Sequence, residues 1–444
     1  MATKKRNDLL AILIAIVGIV CAIIAFIFHG VLGLVVSVGL SLVIFGCYCL
    51  YLYYSTYRWK RKSNVLFNGI VQPEFLEWQQ AVLEQIYADL ELVSIYGRRY
   101  PAAILRPEKC VEYPFDGLCK LKSTNLPEYE FDKKQEQYLK ILGESLRAPK
   151  MKGYALSRIN YTPNGHTETF DAVTIRQEQN LATCHILEWE LFEYYRQQMR
   201  GKLHGIISDN ILEYLPYRAR YHSSRSGKAA ISAPHEAYPL ISVQAMVIFK
   251  DTRGAGNPVW RAVLAKRSEK VIIRRGFFQF EPAGSFEVYG RQCDENDYLV
   301  QQGFDIGNAL LREYAEELFD VEEFQENTKG RDPNSIRSHP DVRRLIHAIK
   351  KPSPTAWFEF IGTIFDLTVL RPELSFLILI EDEFFCESSI LGNWESNNIM
   401  SPGLEELPSI LSNNDNLVHG SSAGILQLAI GNKQLQKLGI AIPN

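Results

Sequence analysis

Three glutamates, Glu313, Glu316 and Glu317, stand within the string REYAEELFD at 312–320. On a helix, positions i, i+3 and i+4 share a face, so the three carboxylates gather on one side. Leu311, Tyr314, Ala315 and Leu318 then form the opposite, core-facing stripe. Clustered carboxylates repel one another unless a cation neutralises them. An all-oxygen set suits Mg²⁺ or Mn²⁺, which also bridge to substrate phosphates. Just upstream lies EPAGSFE at 281–287, where Gly284 permits a tight turn that brings backbone against the glutamate helix. A glutamate-rich face standing alone is ordinarily solvated, so the surrounding elements must decide between the two readings.

Groups suited to a phosphate-bearing ligand flank these strings. Lys266, Arg267, Arg274 and Arg275 have the charge to pair with phosphates, and Phe277, Phe278 and Phe280 have faces on which bases stack. Strand alternation sends part of this group into the core. A second basic stretch, RARYHSSRSGK at 218–228, carries Arg218, Arg220, Arg225 and Lys228. Its Ser/Gly content reads as a solvated loop, or as one that reaches an anion bound to the next domain.

The elements that position these groups follow from periodicity. Residues 240–250 and 259–267 read as strands around the turn DTRGAGNP, 357–370 and 374–380 supply two more, and 308–318 is the one strong helix between them. That order implies an α+β sandwich. Residues 63–235 read as a mixed helical connector without a chemical motif: helices over 73–93, 133–146 and 180–203, and a hairpin of 154–161 with 169–176 around Pro163-Asn164-Gly165. Cys184 and His185 are adjacent there, but neighbours on a helix diverge and no second pair completes a zinc site.

A strand ending in Lys266-Arg267, then QFEPAGSFE, then a helix with REYAEE, resembles the Nudix domain. That family's signature runs Gly, five residues, Glu, seven residues, Arg-Glu, an aliphatic, any residue and Glu-Glu. The resemblance covers about 238–410 and departs in three places. Gly290 stands where the first motif glutamate belongs, 28 residues rather than 14 separate Gly284 from Arg312, and Phe319-Asp320 replaces the terminal Gly-aliphatic pair. Family roles therefore pass only to Gly284, Glu287, Arg312, Glu313, Glu316 and Glu317. The resemblance implies that the three helix glutamates hold Mg²⁺ or Mn²⁺ or activate water, and that Arg312 orients them.

The first 62 residues differ from the rest. Residues 9–57 carry no formal charge, and His29-Gly30 divides them into runs of 20 and 24 apolar-rich residues, each as long as a membrane-spanning helix requires. Lys4, Lys5 and Arg6 precede the first run, and Arg58, Lys60, Arg61 and Lys62 follow the second, which places both ends in the cytoplasm by the positive-inside rule. This segment holds seven Lys/Arg and one Asp, net +6, leaving 41 Lys/Arg against 50 Asp/Glu, net −9, for the remainder. An acidic remainder argues against general DNA or RNA binding. None of the eight cysteines forms a Cys-x-x-Cys pair, so they read as free thiols.

The expected fold class is thus α+β in three parts: a two-helix transmembrane hairpin at 1–62, a mixed connector at 63–235 and a Nudix-like α/β/α sandwich at 236–444. That architecture resembles the transmembrane-Nudix effectors of bacterial CBASS antiphage systems. The resemblance implies a multi-pass inner-membrane protein whose Nudix-like domain senses a cyclic oligonucleotide, forms a homo-oligomer and disrupts membrane lipid, with no protein partner required. A tethered Mg²⁺-dependent hydrolase of a nucleoside diphosphate derivative is the alternative enzyme reading, and an inert scaffold is a third.

Overall fold

The computed structural model describes residues 2–124, 129–142, 152–200, 207–222, 225–234, 237–254, 257–268, 274–288, 297–321, 333–387, 390–393, 396–413 and 416–444. The chain divides into two compact units, Met1–Val65 and Leu66–Asn444.

A helical span, Ala2–Gly69, runs through the first unit and is broken at Gly30, whose φ of 63° and ψ of −151° are not helical. Side chains of residues 2–18, where much of the first apolar run falls, lie outside the described set. Crossing a bilayer needs about 20 apolar residues in one helix. Among the described residues, no helix is long and apolar enough to cross a membrane. The transmembrane hairpin at 1–62 and the multi-pass inner-membrane placement expected from it are corrected accordingly. Described apolar side chains of this unit, Phe28 and Leu32 among them, are exposed in the isolated chain.

The second unit is mixed α/β. Its main sheet contains β1 (Glu91–Ile95), β2 (Arg98–Leu105), β3 (Val111–Glu112), β7 (Ser242–Asp251), β8 (Val259–Ala262), β11 (Ala283–Ser285), β12 (Ala356–Asp366) and β13 (Arg371–Ile380). The order is β1-β2-β12-β13-β7-β11, with β3 on β12 and β8 on β7. The pair β13–β7 is parallel, Glu373 opposite Ser242, and the others are antiparallel. Two three-stranded sheets complete the β structure: β10 (Phe278–Phe280), β9 (Leu264–Arg267) and β14 (Ser396–Met400), then β4 (Cys119–Ser123), β6 (Thr167–Arg176) and β5 (Lys152–Tyr161).

Central strands β7 and β13 are nearly continuous apolar runs, as strands buried on both faces must be. Met246, Ile248, Leu377 and Leu379 join Leu264, Phe278, Phe280 and the helix Gly420–Ala429 in one core cluster. Alternation turns Phe249 to the other face, where it meets Phe385, itself against Tyr314 of the helix Ile306–Phe319. Helices therefore cover both faces of the sheet.

Residues 63–235 do not form a separate connector. Strands β1 to β3 belong to the main sheet, with Thr363 of β12 opposite Leu105 of β2. On the far edge, Tyr154 of β5 receives Ile241 N–H at 2.8 Å and donates to Phe286 O at 2.9 Å. The hairpin forms as β5–β6 around Gly165, whose φ is 81°. The helix expected over 73–93 stops at Ile86, because Leu92 and Val93 enter β1. The one at 133–146 is seen as Lys133–Leu142, its last four positions lying outside the described residues. The one at 180–203 becomes Gln177–Asn180, a π-helical turn Leu181–His185 and Ile186–Arg200, the rest again outside the described residues.

Candidate functional site

Helix Ile306–Phe319 holds the motif glutamates, capped by Asp305, whose side chain accepts Asn308 N–H at 2.9 Å, and ended at Asp320 with φ 52°. Leu310, Leu311, Tyr314, Ala315 and Leu318 are fully buried, as the apolar stripe requires. The charged side is not a solvated face: Arg312, Glu316 and Glu317 are buried as well.

Two of the three carboxylates, Glu313 and Glu316, gather on Arg312. Arg312 Nη2 donates to Glu313 Oε1 at 3.0 Å, and its Nε lies 3.9 Å from Glu316 Oε1. Burial opposes the charge on Arg312, but Glu313, Glu316 and Glu287 more than offset it and hold the guanidinium above its usual range. Glu317 turns elsewhere: its Oε2 accepts Ala283 N–H at 2.6 Å, and its carboxyl is hydrogen-bonded to Glu281. A Cβ on Gly284 would fall within 2.2–2.5 Å of the Glu313 carboxylate, so close approach fixes glycine at this strand position. Glu287 accepts from Gln177 Nε2 at 2.6 Å, which ties the motif strand to residues expected in the connector.

Among the described residues, no three His, Cys, Asp or Glu side chains are grouped to hold a metal ion. Of Glu313, Glu316 and Glu317, expected to hold Mg²⁺ or Mn²⁺, the first two are paired with Arg312, and the third is bonded to backbone and to a further carboxyl. Gly290, which displaces the first motif glutamate, lies outside the described residues.

The flanking candidates separate by strand side. Phe278 and Phe280 face the core cluster and Phe277 is buried, so none offers an open face for a base; this corrects the stacking expectation for Phe278 and Phe280. Lys266 is exposed, its ammonium 5.7 Å from the Phe278 ring. The Arg275 guanidinium lies 5.1 Å from the Phe67 ring. Arg274 is buried and engaged, with Nη1 3.0 Å from Glu188 and Nη2 donating to Thr368 Oγ1 at 2.7 Å. It does not reach outward to a phosphate. Arg218 is likewise fully buried, donating to Tyr87, Leu367 O and Thr368 O, so the basic stretch is not simply a solvated loop.

Arg274 belongs to a buried charged seam that the sequence did not reveal. Glu188 comes from the helix Ile186–Arg200, Asp366 from the end of β12, and His419 from just before the helix Gly420–Ala429. Burial pushes Glu188 upward, whereas for Asp366 burial is outweighed chiefly by Arg274, helped by the Thr368 hydrogen bond and Arg371, which hold its carboxyl below the usual range. His185 and His419 are pushed down to about 3, chiefly by burial. These partners lie far apart in sequence, so no local pattern announces them.

Arg267 stands apart from the seam. Its Nη1 donates to Gln279 Oε1 at 2.8 Å, and Glu281 lies beside the pair. Gln279 and Glu281 carry no motif role, and only period-two alternation along QFE at 279–281 could have singled them out.

No family model matches the chain, and no curated protein matches it. Among solved structures, a Nudix hydrolase from Alicyclobacillus acidocaldarius is a weak neighbour. The match spans 46% of this chain and 98% of that one, at 15% identity and a TM-score of 0.25. A likeness of that size carries no argument about activity.

Proposed function

We propose that the unit Leu66–Asn444 contains a Nudix-like domain that binds a phosphate-linked nucleotide, a cyclic oligonucleotide in the leading form of this reading, and holds it without turnover. The observation that carries the reading is the pairing of Arg312 with Glu313 and Glu316, together with the Glu317–Glu281 and Glu317–Ala283 contacts. A hydrolytic site of this kind needs carboxylates free to gather a cation that polarises phosphate and activates water. Here the same carboxylates serve as internal partners, brace the strand at Gly284 and leave recognition as the task the site is built for. The motif order from Lys266 to Glu317 supports the Nudix-like assignment.

The test is a thermal-shift and calorimetric screen of the full chain against cyclic di-AMP, cyclic tri-AMP and ADP-ribose, with Mg²⁺ or with EDTA, each sample then chromatographed for products. Binding with intact ligand is expected. Sustained product formation in Mg²⁺, abolished by Glu317→Gln with affinity retained, would replace this reading with the hydrolase.

A further inference from the structure

The chain holds two Asn-Gly pairs, Asn68-Gly69 and Asn164-Gly165, and the fold treats them differently. Glycine after asparagine lets the next backbone nitrogen approach the side-chain carbonyl carbon, because no Cβ stands in the way. Asn68 has an exposed side chain, but its backbone is held on both sides. It lies in the last turn of the helix Ala2–Gly69, its carbonyl oxygen accepts from Gln72 Nε2 at 2.8 Å, Ile70 N–H donates to Leu66 O at 2.9 Å, and Gly69 packs directly on the Phe192 ring. Asn164 and Gly165 are instead exposed together at the tip of the β5–β6 hairpin. Two backbone hydrogen bonds close that tip, Thr162 N–H to His166 O at 2.8 Å and Gly165 N–H to Thr162 O at 2.9 Å. The Asn164 amide nitrogen lies 3.5 Å from Glu108 Oε1, a long contact that restrains it little. An exposed turn closed by so few bonds opens locally at small cost.

We propose that Asn164 is a site of non-enzymatic deamidation in the folded protein, whereas Asn68 is protected by its helix. When the tip opens, Gly165 N loses its proton to solvent base and attacks Asn164 Cγ. The bond from Cγ to Nδ2 breaks, ammonia leaves, and a five-membered succinimide forms. Water then opens the ring: cleavage between Gly165 N and Cγ gives aspartate, and cleavage between Gly165 N and the Asn164 main-chain carbonyl carbon gives isoaspartate, with the chain now running through Cβ. Water is the only co-reactant, and nothing is oxidised or reduced. Either product sets a carboxylate beside Glu108 where an amide donor stood, which turns a weak attraction into repulsion. Isoaspartate also adds a backbone methylene inside the turn that Thr162 and His166 close. At Asn68 the same attack would require the last helical turn to unwind and Gly69 to leave Phe192.

The test incubates the full chain at pH 7 and pH 9, folded or in guanidinium chloride, and reads tryptic peptides by mass spectrometry for the one-dalton gain at each asparagine, with isoaspartate resolved by chromatography. Each site's rate in guanidinium chloride is its own reference, because local sequence alone decides there. In the folded protein Asn164 should slow by no more than about threefold, and Asn68 by about tenfold or more. Conversion at Asn164 should quicken with pH, as loss of the Gly165 proton requires. Asn164→Gln can close only a six-membered ring, so it should melt as the parent does and stop conversion at 164. Folded Asn164 slowed as much as Asn68 overturns the proposal, the two turn hydrogen bonds then holding the tip shut. Folded Asn68 converting as fast as Asn164 overturns protection by the helix.

Discussion

Gly284 and Glu313 are the pair in which sequence, packing and chemistry meet most closely. Alanine at 284 would place its Cβ against the Glu313 carboxyl, the movable end of a side chain rather than backbone. Gly284→Ala is therefore expected to cost only about 1 kcal/mol by urea denaturation, near the low end for overpacking, while displacing Glu313 from Arg312. Combining it with Glu313→Ala should recover stability relative to the sum of the single changes, and strict additivity would contradict the contact. The buried histidines carry a pH signature. His185 and His419 sit near 3 and His222 near 4 in the fold, burial being the main cause, against about 6.5 in the unfolded chain. The unfolded chain therefore takes up protons first as pH falls, and the stability these groups lend above pH 6.5 erodes toward pH 3–4, by roughly 2 kcal/mol per histidine between 6.5 and 5. Glu188 and Glu190, raised by burial, act with the opposite sign and lose their contribution as pH rises. Urea titrations at pH 7, 6 and 5 should show falling stability, and His222→Phe, which retains the ring packing on Tyr87, should make the fall shallower. A level profile in the parent would contradict the histidine account.

Elements with strong local signals were legible in the sequence. The helix expected at 308–318 is Ile306–Phe319, and the strands at 240–250 and 374–380 are β7 and β13, because a 3.6-residue stripe and unbroken apolar runs survive any tertiary context. Asp305 begins that helix by a readable rule. Asp305→Ala removes the cap on Asn308 and the 2.8 Å pair with Arg337; the half-exposed ion pair adds little, so a loss of about 1 kcal/mol is expected. Asp305→Asn should restore most of it in the same denaturation assay. Strand alternation alone does not say which side faces the core, so the sequence does not separate Phe278 and Phe280, which the fold turns inward, from Gln279 and Glu281 on the opposite side. The charged seam was illegible for another reason: Glu188, Arg274, Asp366 and His419 meet only through tertiary folding.

At the scale of the molecule, the boundary drawn at 235 fails because the main sheet is built from both sides of it. Residues 236–444 alone would leave β12 without β2 and β3, and Arg274 buried without Glu188, a loss of about 3–5 kcal/mol from the broken ion pair alone. That fragment is expected to lack cooperative melting and amide protection, whereas residues 66–444 should show both; a stable, protected 236–444 would contradict the shared-sheet account. The union of β2, complete by residue 105, with β12, which begins at 356, also bears on synthesis. A ribosome adding ~5–20 residues per second leaves the β2 edge waiting on the order of ten seconds or more for its neighbour, with Tyr100, Ala102 and Ile104 still uncovered. An edge waiting that long is a template for pairing with another nascent chain. Slow translation or a holding chaperone should therefore govern the soluble yield of this protein more than the stability of its finished fold does.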